Sequence, residues 1–383
     1  MKKILFVYPH NFLECNMGTN IRVYFLAKEL RSLGYEIDLY AFRNFLSIYD
    51  DFDEMNCHEK LVNSLYLYDY RETVLFRKRH KIHRYISQVL HNEELENWVT
   101  PSMVKQFNEI TSSIEYDYII MFYAYTAELI SPGNYRGSSS KIYFMEDLLS
   151  VAHFVSGRSK YIGGLLDSEI KRISYFDKIV CISSDEKILF EKLLPNKQFY
   201  FLPHLISKKN VTGKLVNKVM KVLFIGYDNE YNIEGMRWFF ENVYSHILVD
   251  IELIVVGKVT KYIDGSYPNL RKIEYVENLR ELYLNVDMVI CPLQNGTGMK
   301  IKVVEAMSYG IPIVCTSRGV DGLPDKNRNG CLVSDTPEGF ADAINRLATN
   351  TALYKECQMK INEYFSEILD WAVYKEMLPK LFD

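Results

Sequence analysis

A chain of 383 residues is long for a single core, so two domains are expected. Apolar residues at 48% and charged residues at 25% are an ordinary globular balance. A net charge of −4 argues against a general polyanion binder, so no nucleic-acid partner is expected.

Seven cysteines (Cys15, Cys57, Cys181, Cys291, Cys315, Cys331, Cys357) stand far apart without metal-ligand spacing. They read as reduced core thiols, which points to a reducing, cytoplasmic setting. The opening MKKILFVYPHNF has too short an apolar run for a signal peptide and flows into a glycine turn. No run approaches the roughly 18 apolar residues that span a bilayer. A soluble chain is expected, at most peripheral at a membrane's inner face.

In chain order, β-rich runs occur at KILFVYP (3–9), EIDLYAF (36–42), SLYLYDY (64–70), YDYIIMFYAY (116–125), KIYFME (141–146), KIVCIS (178–183) and FYFLPH (199–204). After the polar stretch SKKNVTGKLVNK (207–218) they resume at KVLFIGY (221–227), IELIVVG (251–257), KIEYVE (272–277), VDMVICPL (286–293), IPIVCTS (311–317) and CLVSD (331–335). Their continuous apolar character fits strands buried on both faces, and helical patterns between them imply parallel sheets with right-handed crossovers. Between the first two runs, Val23, Leu26, Leu30 and Leu33 line one helix face, and Gly34 follows as a stop. The tail pattern Tyr364, Ile368, Trp371, Tyr374, Leu378 predicts a helix. The chain thus reads as two Rossmann-like halves with a cleft between them, joined at 207–218.

The chemistry concentrates in CPLQNGTGMKIKVVEAMSYGIPIVCTS (291–317). Ligands of open α/β sheets bind beyond the carboxyl ends of strands. Gly296 and Gly298 let backbone N–H groups approach an anion, and a helix starting at about Met299 adds donors and a partial positive charge. Lys300 or Lys302 supplies a point charge, and Glu305 suits ribose hydroxyls, so the set fits a nucleoside diphosphate. The competing reading is a plain strand, turn and helix with a surface Lys302–Glu305 pair. Gly296-x-Gly298 lacks a third glycine, and no GxxxxGK[ST] occurs.

GTGMKIKVVEAMSYGIPIVCTSRGVDGL is similar to the donor-site signature of the family-4 glycosyltransferases. VLFIGYDNEYNIEGMRWFFENV, with Asn232, resembles the family's first donor-domain strand and helix, and ELIVVGK and ENLRELYLNVDMVICPL resemble the strands before the signature. GTNIRVYFLAKELRSLGYEIDLY and IKRISYFDKIVCISSDEKILFEK resemble acceptor-domain segments. The resemblance implies the GT-B fold, α/β with two Rossmann-like domains whose parallel sheets face across a deep cleft. Domain limits follow as 1–206, completed by a helix 365–383 that crosses back, and 207–364. It implies a transferase that moves a sugar from a nucleotide-sugar to a glycan, lipid-linked or protein-linked acceptor, with retention and without a cofactor or bound metal.

Residue by residue, the resemblance assigns Glu305 to the donor ribose. Gly296, Thr297, Gly298 and Met299, with Lys302, fall to the pyrophosphate, and Gly226 and Lys258 to the donor edge. Gly18 and Thr19 match the acceptor-domain loop that approaches the diphosphate, with Arg22 a turn beyond; an ordinary tight turn is the alternative for Gly18. Asp147, with Glu146, takes the place of the family's acidic or histidine group beside the transferred sugar, so Asp147, Glu146 and Lys302 are the catalytic candidates. Thr297 replaces the first glutamate of the family's pair, and GYDNEYN replaces its Arg and Lys. These departures admit a second reading, a non-catalytic GT-B partner of a true transferase; a nucleotide-sugar epimerase is a third.

The segment VLFRKRHKIHRYISQVLH (74–91) interleaves basic and apolar residues. It reads as a solvated helix or as a membrane-surface face. His80, His83 and His91 lack metal spacing, so no metal is assigned. Base, sugar, linkage, acceptor and oligomeric state are open from the sequence.

Overall fold

The computed structural model describes residues 2–15, 17–43, 49–69, 82, 94–209 and 219–382. Apart from Ile82, the 74–91 segment lies outside the described residues, as does 210–218. The chain divides into two compact units, Met1–Leu205 with Leu378–Asp383, and Ile206–Met377.

The first unit holds β1 (Lys3–Val7), β2 (Glu36–Arg43), β3 (Ser64–Asp69), β4 (Tyr118–Met121), β5 (Ser140–Met145), β6 (Lys178–Cys181) and β7 (Gln198–Phe201). They form one sheet in the order β3-β2-β1-β4-β5-β6-β7, every pair parallel. The second holds β8 (Met220–Ile225), β9 (Ile251–Val256), β10 (Leu270–Ile273), β11 (Met288–Cys291), β12 (Ile313–Cys315) and β13 (Leu332–Val333), ordered β10-β9-β8-β11-β12-β13 and again parallel. Each apolar run read from the sequence overlaps one of these strands, although KIEYVE (272–277) does so only at Lys272 and Ile273, because β10 starts earlier at Leu270. Ile4, Leu5, Phe6 and Val7 are all buried, as helices on both faces of a parallel sheet require. In each sheet the strand order reverses once, beside β1 and beside β8. That switch point is where α/β sheets leave a crevice for ligands.

Local rules explain most element ends. Thr100 and Thr336 cap helices that open with Pro101 and Pro337, each hydroxyl accepting a backbone N–H two residues past the proline. The helix Gly18–Ser32 buries Val23, Leu26 and Leu30. Leu33, expected on that face, is instead 44% exposed, because the helix has already ended and Leu33 is its cap residue.

Two further expectations are corrected. The run 116–125 is not one strand: β4 stops at Met121, and Ala124–Ile130 winds into a 3₁₀ helix. The Tyr125 carbonyl leaves the sheet to accept the Trp98 N–H at 3.0 Å. Nor is 365–383 one helix. A π-turn spans Phe365–Leu369, and Asp370 is extended at φ −62°, ψ 131°. Its carboxylate caps a new turn through the Ala372 N–H at 3.0 Å, while the Trp371 N–H is held by the Ile206 carbonyl at 2.9 Å.

Only Leu378–Asp383 of this tail belongs to the first unit. Leu381 and Phe382 are fully buried there. Phe382 packs edge-on against Tyr118 at 5.0 Å, and its carbonyl accepts Lys2 Nζ at 2.8 Å.

After β9 the chain turns at Gly257, whose φ is +105°. A Cβ there would lie 2.2 Å from the Gly226 carbonyl oxygen, so two strand ends touch through bare backbone. Gly257→Ala therefore meets both a disfavoured conformation and a backbone clash. It should cost at least about 3 kcal/mol. Gly133→Ala, whose Cβ meets nothing within 4 Å, should stay within about 1 kcal/mol of wild type. Urea unfolding of both proteins checks the contrast.

Candidate functional site

The second unit presents its chemistry at the carboxyl ends of β8, β9 and β11. Past β11, Gly296 (φ +116°) and Gly298 (φ +71°) take left-handed conformations closed to most side chains. Lys300 folds back to donate to the Thr297 carbonyl at 3.0 Å and the Gly298 carbonyl at 2.7 Å. Because these peptides are trans, the N–H groups of Gly298 and Met299 point away from Lys300. Lys300 is thus a brace of the turn, and Lys302 is the cation with other partners. The helix begins at Ile301, two residues later than expected, with no side-chain cap on its first amides.

Lys302 is buried. Its Nζ donates to Asn232 Oδ1 at 2.6 Å and lies 4.1 Å from the centre of the Phe224 ring. Burial pushes the ammonium down to about 8, with Lys300 adding to the fall while Cys291 and Glu305 oppose it. Asn232 is itself fixed, donating Nδ2 to the Tyr227 carbonyl at 3.1 Å. Glu305 turns elsewhere: the Tyr283 hydroxyl donates to its Oε2 at 2.9 Å. Burial raises the Glu305 carboxyl, opposed by the Tyr283 bond and by the charges of Lys209 and Lys302. The surface Lys302–Glu305 pair is accordingly not what forms, since each side chain has its own buried partner.

Gly226 follows β8 directly, but its N–H is committed to the Val256 carbonyl at 2.9 Å, so it has no amide for a phosphate. What Gly226 contributes is space: a Cβ would lie 2.7 Å from the Phe224 ring and 3.1 Å from Asn232. Lys258 is exposed, stacked over Tyr227 at 4.7 Å and donating to its hydroxyl at 2.9 Å.

In the first unit the loop after β1 leads to Gly18 and Thr19, the first residues of their helix. The Thr19 side chain lies beside Tyr123. Arg22, one turn on, makes a buried ion pair with Glu146 at 2.7 Å and donates to the Leu202 carbonyl at 2.9 Å. Burial pushes Glu146 up to about 7, against the pull of Arg22 and with help from the Asp147 charge. Asp147 is only partly buried. Beside it runs an aromatic wall: Trp98 stacks on Tyr125 at 4.3 Å, and Tyr125 on Tyr123 at 6.2 Å. The Tyr125 hydroxyl meets His153 Nε2 at 2.7 Å. Among the described residues, no group of three or more His, Cys, Asp or Glu is placed to hold a metal ion. Nor is any described helix long and apolar enough to cross a membrane.

Each unit thus gathers its own expected residues at one sheet edge. Sequence reasoning missed Tyr283, Gly257, Tyr227 and the aromatic wall. Asn232 was legible as a motif position, but its grip on Lys302 was not.

Residues 220–350 match the family model described as Glycosyl transferases group 1. The chain is 26% identical over 216 residues to an uncharacterized 44.6 kDa protein in the cps region of Klebsiella pneumoniae, covering 51% of this chain and 54% of that one. It spans about half the length of the curated relatives it matches. Among solved structures it is similar to sucrose-phosphate synthase from Thermosynechococcus elongatus, with TM-score 0.70, 14% identity, and coverage of 100% and 98% of the two chains. It is also similar to Anabaena HepE in complex with UDP-glucose, with TM-score 0.65, 14% identity, and coverage of 100% and 99%. The fold is therefore GT-B, and 220–350 carries the group 1 glycosyl transferase pattern.

The Arg22–Glu146 pair yields a stability prediction. Arg22→Met removes the cation that holds the Glu146 carboxyl down, so the buried group takes up a proton and the first unit should lose stability at pH 7; adding Glu146→Leu should recover most of the loss. Glu146 binds its proton more tightly in the folded chain than at its ordinary 4.5. Its contribution is therefore fully present below about pH 4.5 and lost as pH rises through about 7. The Arg22→Met penalty should shrink accordingly toward pH 5. Urea titrations at both pH values, read by circular dichroism, measure it.

Proposed function

We propose that this protein is a glycosyltransferase that takes a sugar from a nucleotide-sugar, retains anomeric configuration, needs no bound metal, and serves polysaccharide or glycoconjugate assembly. The observation that carries this reading is the donor edge of the second unit. A left-handed glycine turn, the uncapped helix Ile301–Ser308, the buried Lys302 and the tyrosine-held Glu305 stand together at the sheet's switch point. The group 1 match over the same residues supports it, as does the UDP-glucose bound by HepE, a protein of similar fold.

Breaking a sugar–diphosphate bond leaves negative charge on the departing nucleoside diphosphate and positive character on the sugar. Donors fixed in advance at the phosphate stabilise the first, about 3 kcal/mol for a well-placed one. The N–H groups of Gly298 and Met299, the first amides of the helix and Lys302 take this role, with exposed Lys258 as a further cation. Glu305 accepts from the ribose. In the first unit, Asp147 takes the sugar-directed role rather than Glu146, which Arg22 already occupies. Gly18 and Thr19 keep the diphosphate-approaching role implied by the resemblance. The acceptor is a glycan or a lipid- or protein-linked sugar, and the site of action is the cytoplasm or its membrane face.

A second reading, a non-catalytic GT-B partner, draws on Thr297 in place of a glutamate and on the acidic GYDNEYN after β8. Turnover separates the two: hydrolysis or transfer of a nucleotide-sugar by the purified chain excludes the partner reading.

Calorimetry against UDP, GDP and ADP should find one that binds, undiminished by EDTA. Glu305→Ala should then weaken it about 10- to 150-fold. No binding by any of the three, or unaltered affinity in a folded Glu305→Ala protein, sinks the donor-site assignment. The pH dependence is a further check. An anion favours the charged form of Lys302, so binding should take up protons near pH 8 and weaken as pH rises beyond it. Lys302→Met should remove that slope.

A further inference from the structure

Glu305 presents two carboxylate oxygens, and one is spoken for. Tyr283 lies in the short helix Leu279–Leu284, 22 positions before Glu305 in the chain, yet its hydroxyl donates to Oε2 at 2.9 Å. The phenol is fully buried, and its ring lies flat on Tyr309, 4.9 Å between centres at 18°. Tyr309 is the residue that ends the helix bearing Glu305. The hydroxyl is thus held at both levels, by ring stacking on the same helix and by its own hydrogen bond. Burial keeps Tyr283 in its protonated, donating form. Burial raises the Glu305 carboxyl, and the Tyr283 hydrogen bond and the cations Lys209 and Lys302 work against it, favouring the ionised form that can only accept.

We infer that Tyr283 is a positioning residue of the donor site, holding Oε2 of Glu305 so that Oε1 is left for ribose hydroxyls. This rests on the reading that Glu305 binds the donor ribose. A carboxylate without that hold can rotate about its last bond and present either oxygen, so vicinal hydroxyls lose a fixed acceptor. The consequence is specific: Tyr283 should matter for ligands that carry ribose hydroxyls and not for those that lack them.

The test uses the full chain and whichever of UDP, GDP and ADP binds most tightly, together with its 2′,3′-dideoxy form. Tyr283→Phe keeps the ring and its stacking on Tyr309. It should weaken the ribonucleotide about 3- to 10-fold while leaving the dideoxy form within about twofold of wild type. In a Glu305→Gln background the same substitution should change neither. If Tyr283→Phe weakens both ligands alike, or acts equally in the Glu305→Gln background, its role is structural and the inference falls. It falls also if Glu305→Gln weakens the ribonucleotide and Tyr283→Phe does not. If Glu305→Gln itself leaves the ribonucleotide untouched, the ribose reading has failed first. Should Tyr283→Phe not fold, Tyr283→Met, which keeps apolar volume without a donor, takes its place.

Discussion

An ammonium removed from water costs several kcal/mol unless polar partners replace its hydration. Lys302 has been given one such partner, Asn232 Oδ1 at 2.6 Å, and the face of Phe224. Much of the second unit's edge follows from that burial. Asn232 must be oriented, and the Tyr227 carbonyl orients it. Room for it beside β8 requires a glycine at 226, and the close pass of the neighbouring strand end requires another at 257. The charge is incompletely compensated, so a second anion-seeking contact remains open to it. On the function proposed above, a donor phosphate supplies that contact.

The first unit solves the same problem in the opposite way. Arg22 and Glu146 compensate each other within the fold, and the Leu202 carbonyl takes a further guanidinium hydrogen. A pair so dry is committed to structure, even though the buried Arg22 Nε has no partner of its own among the described residues. It fixes the start of the helix that carries Gly18 and Thr19 relative to the end of β5, and it leaves the next residue, Asp147, as the carboxylate with solvent access.

The strands were legible because a sheet covered on both faces forces long apolar runs, and every such run overlaps a strand. Breaks inside those runs were not. Nothing local in 116–125 says that the Tyr125 carbonyl will serve Trp98 rather than a neighbouring strand. Apolar spacing in the tail hid Asp370, whose capping role depends on where Ile206 lies. At the site, Gly296, Gly298, Lys302 and Glu305 stood in one contiguous motif and could be read together. Tyr283 could not, because its partner is distant in the chain and tyrosine is common in this sequence. Lys300 and Lys302 were indistinguishable until the turn's carbonyls showed which of them is used as a brace.

The short tail packed on the first unit bears on how the chain is made. Leu378, Leu381 and Phe382 are buried in a unit whose residues outside this tail all precede Ile206, so a ribosome must synthesise the whole second unit before the first can close. At about 5–20 residues per second, that delay is roughly 10–30 s. During it, the face of Tyr118 and the ammonium of Lys2 wait without Phe382. The unit whose residues come first in the chain is therefore the last to receive all of its core side chains.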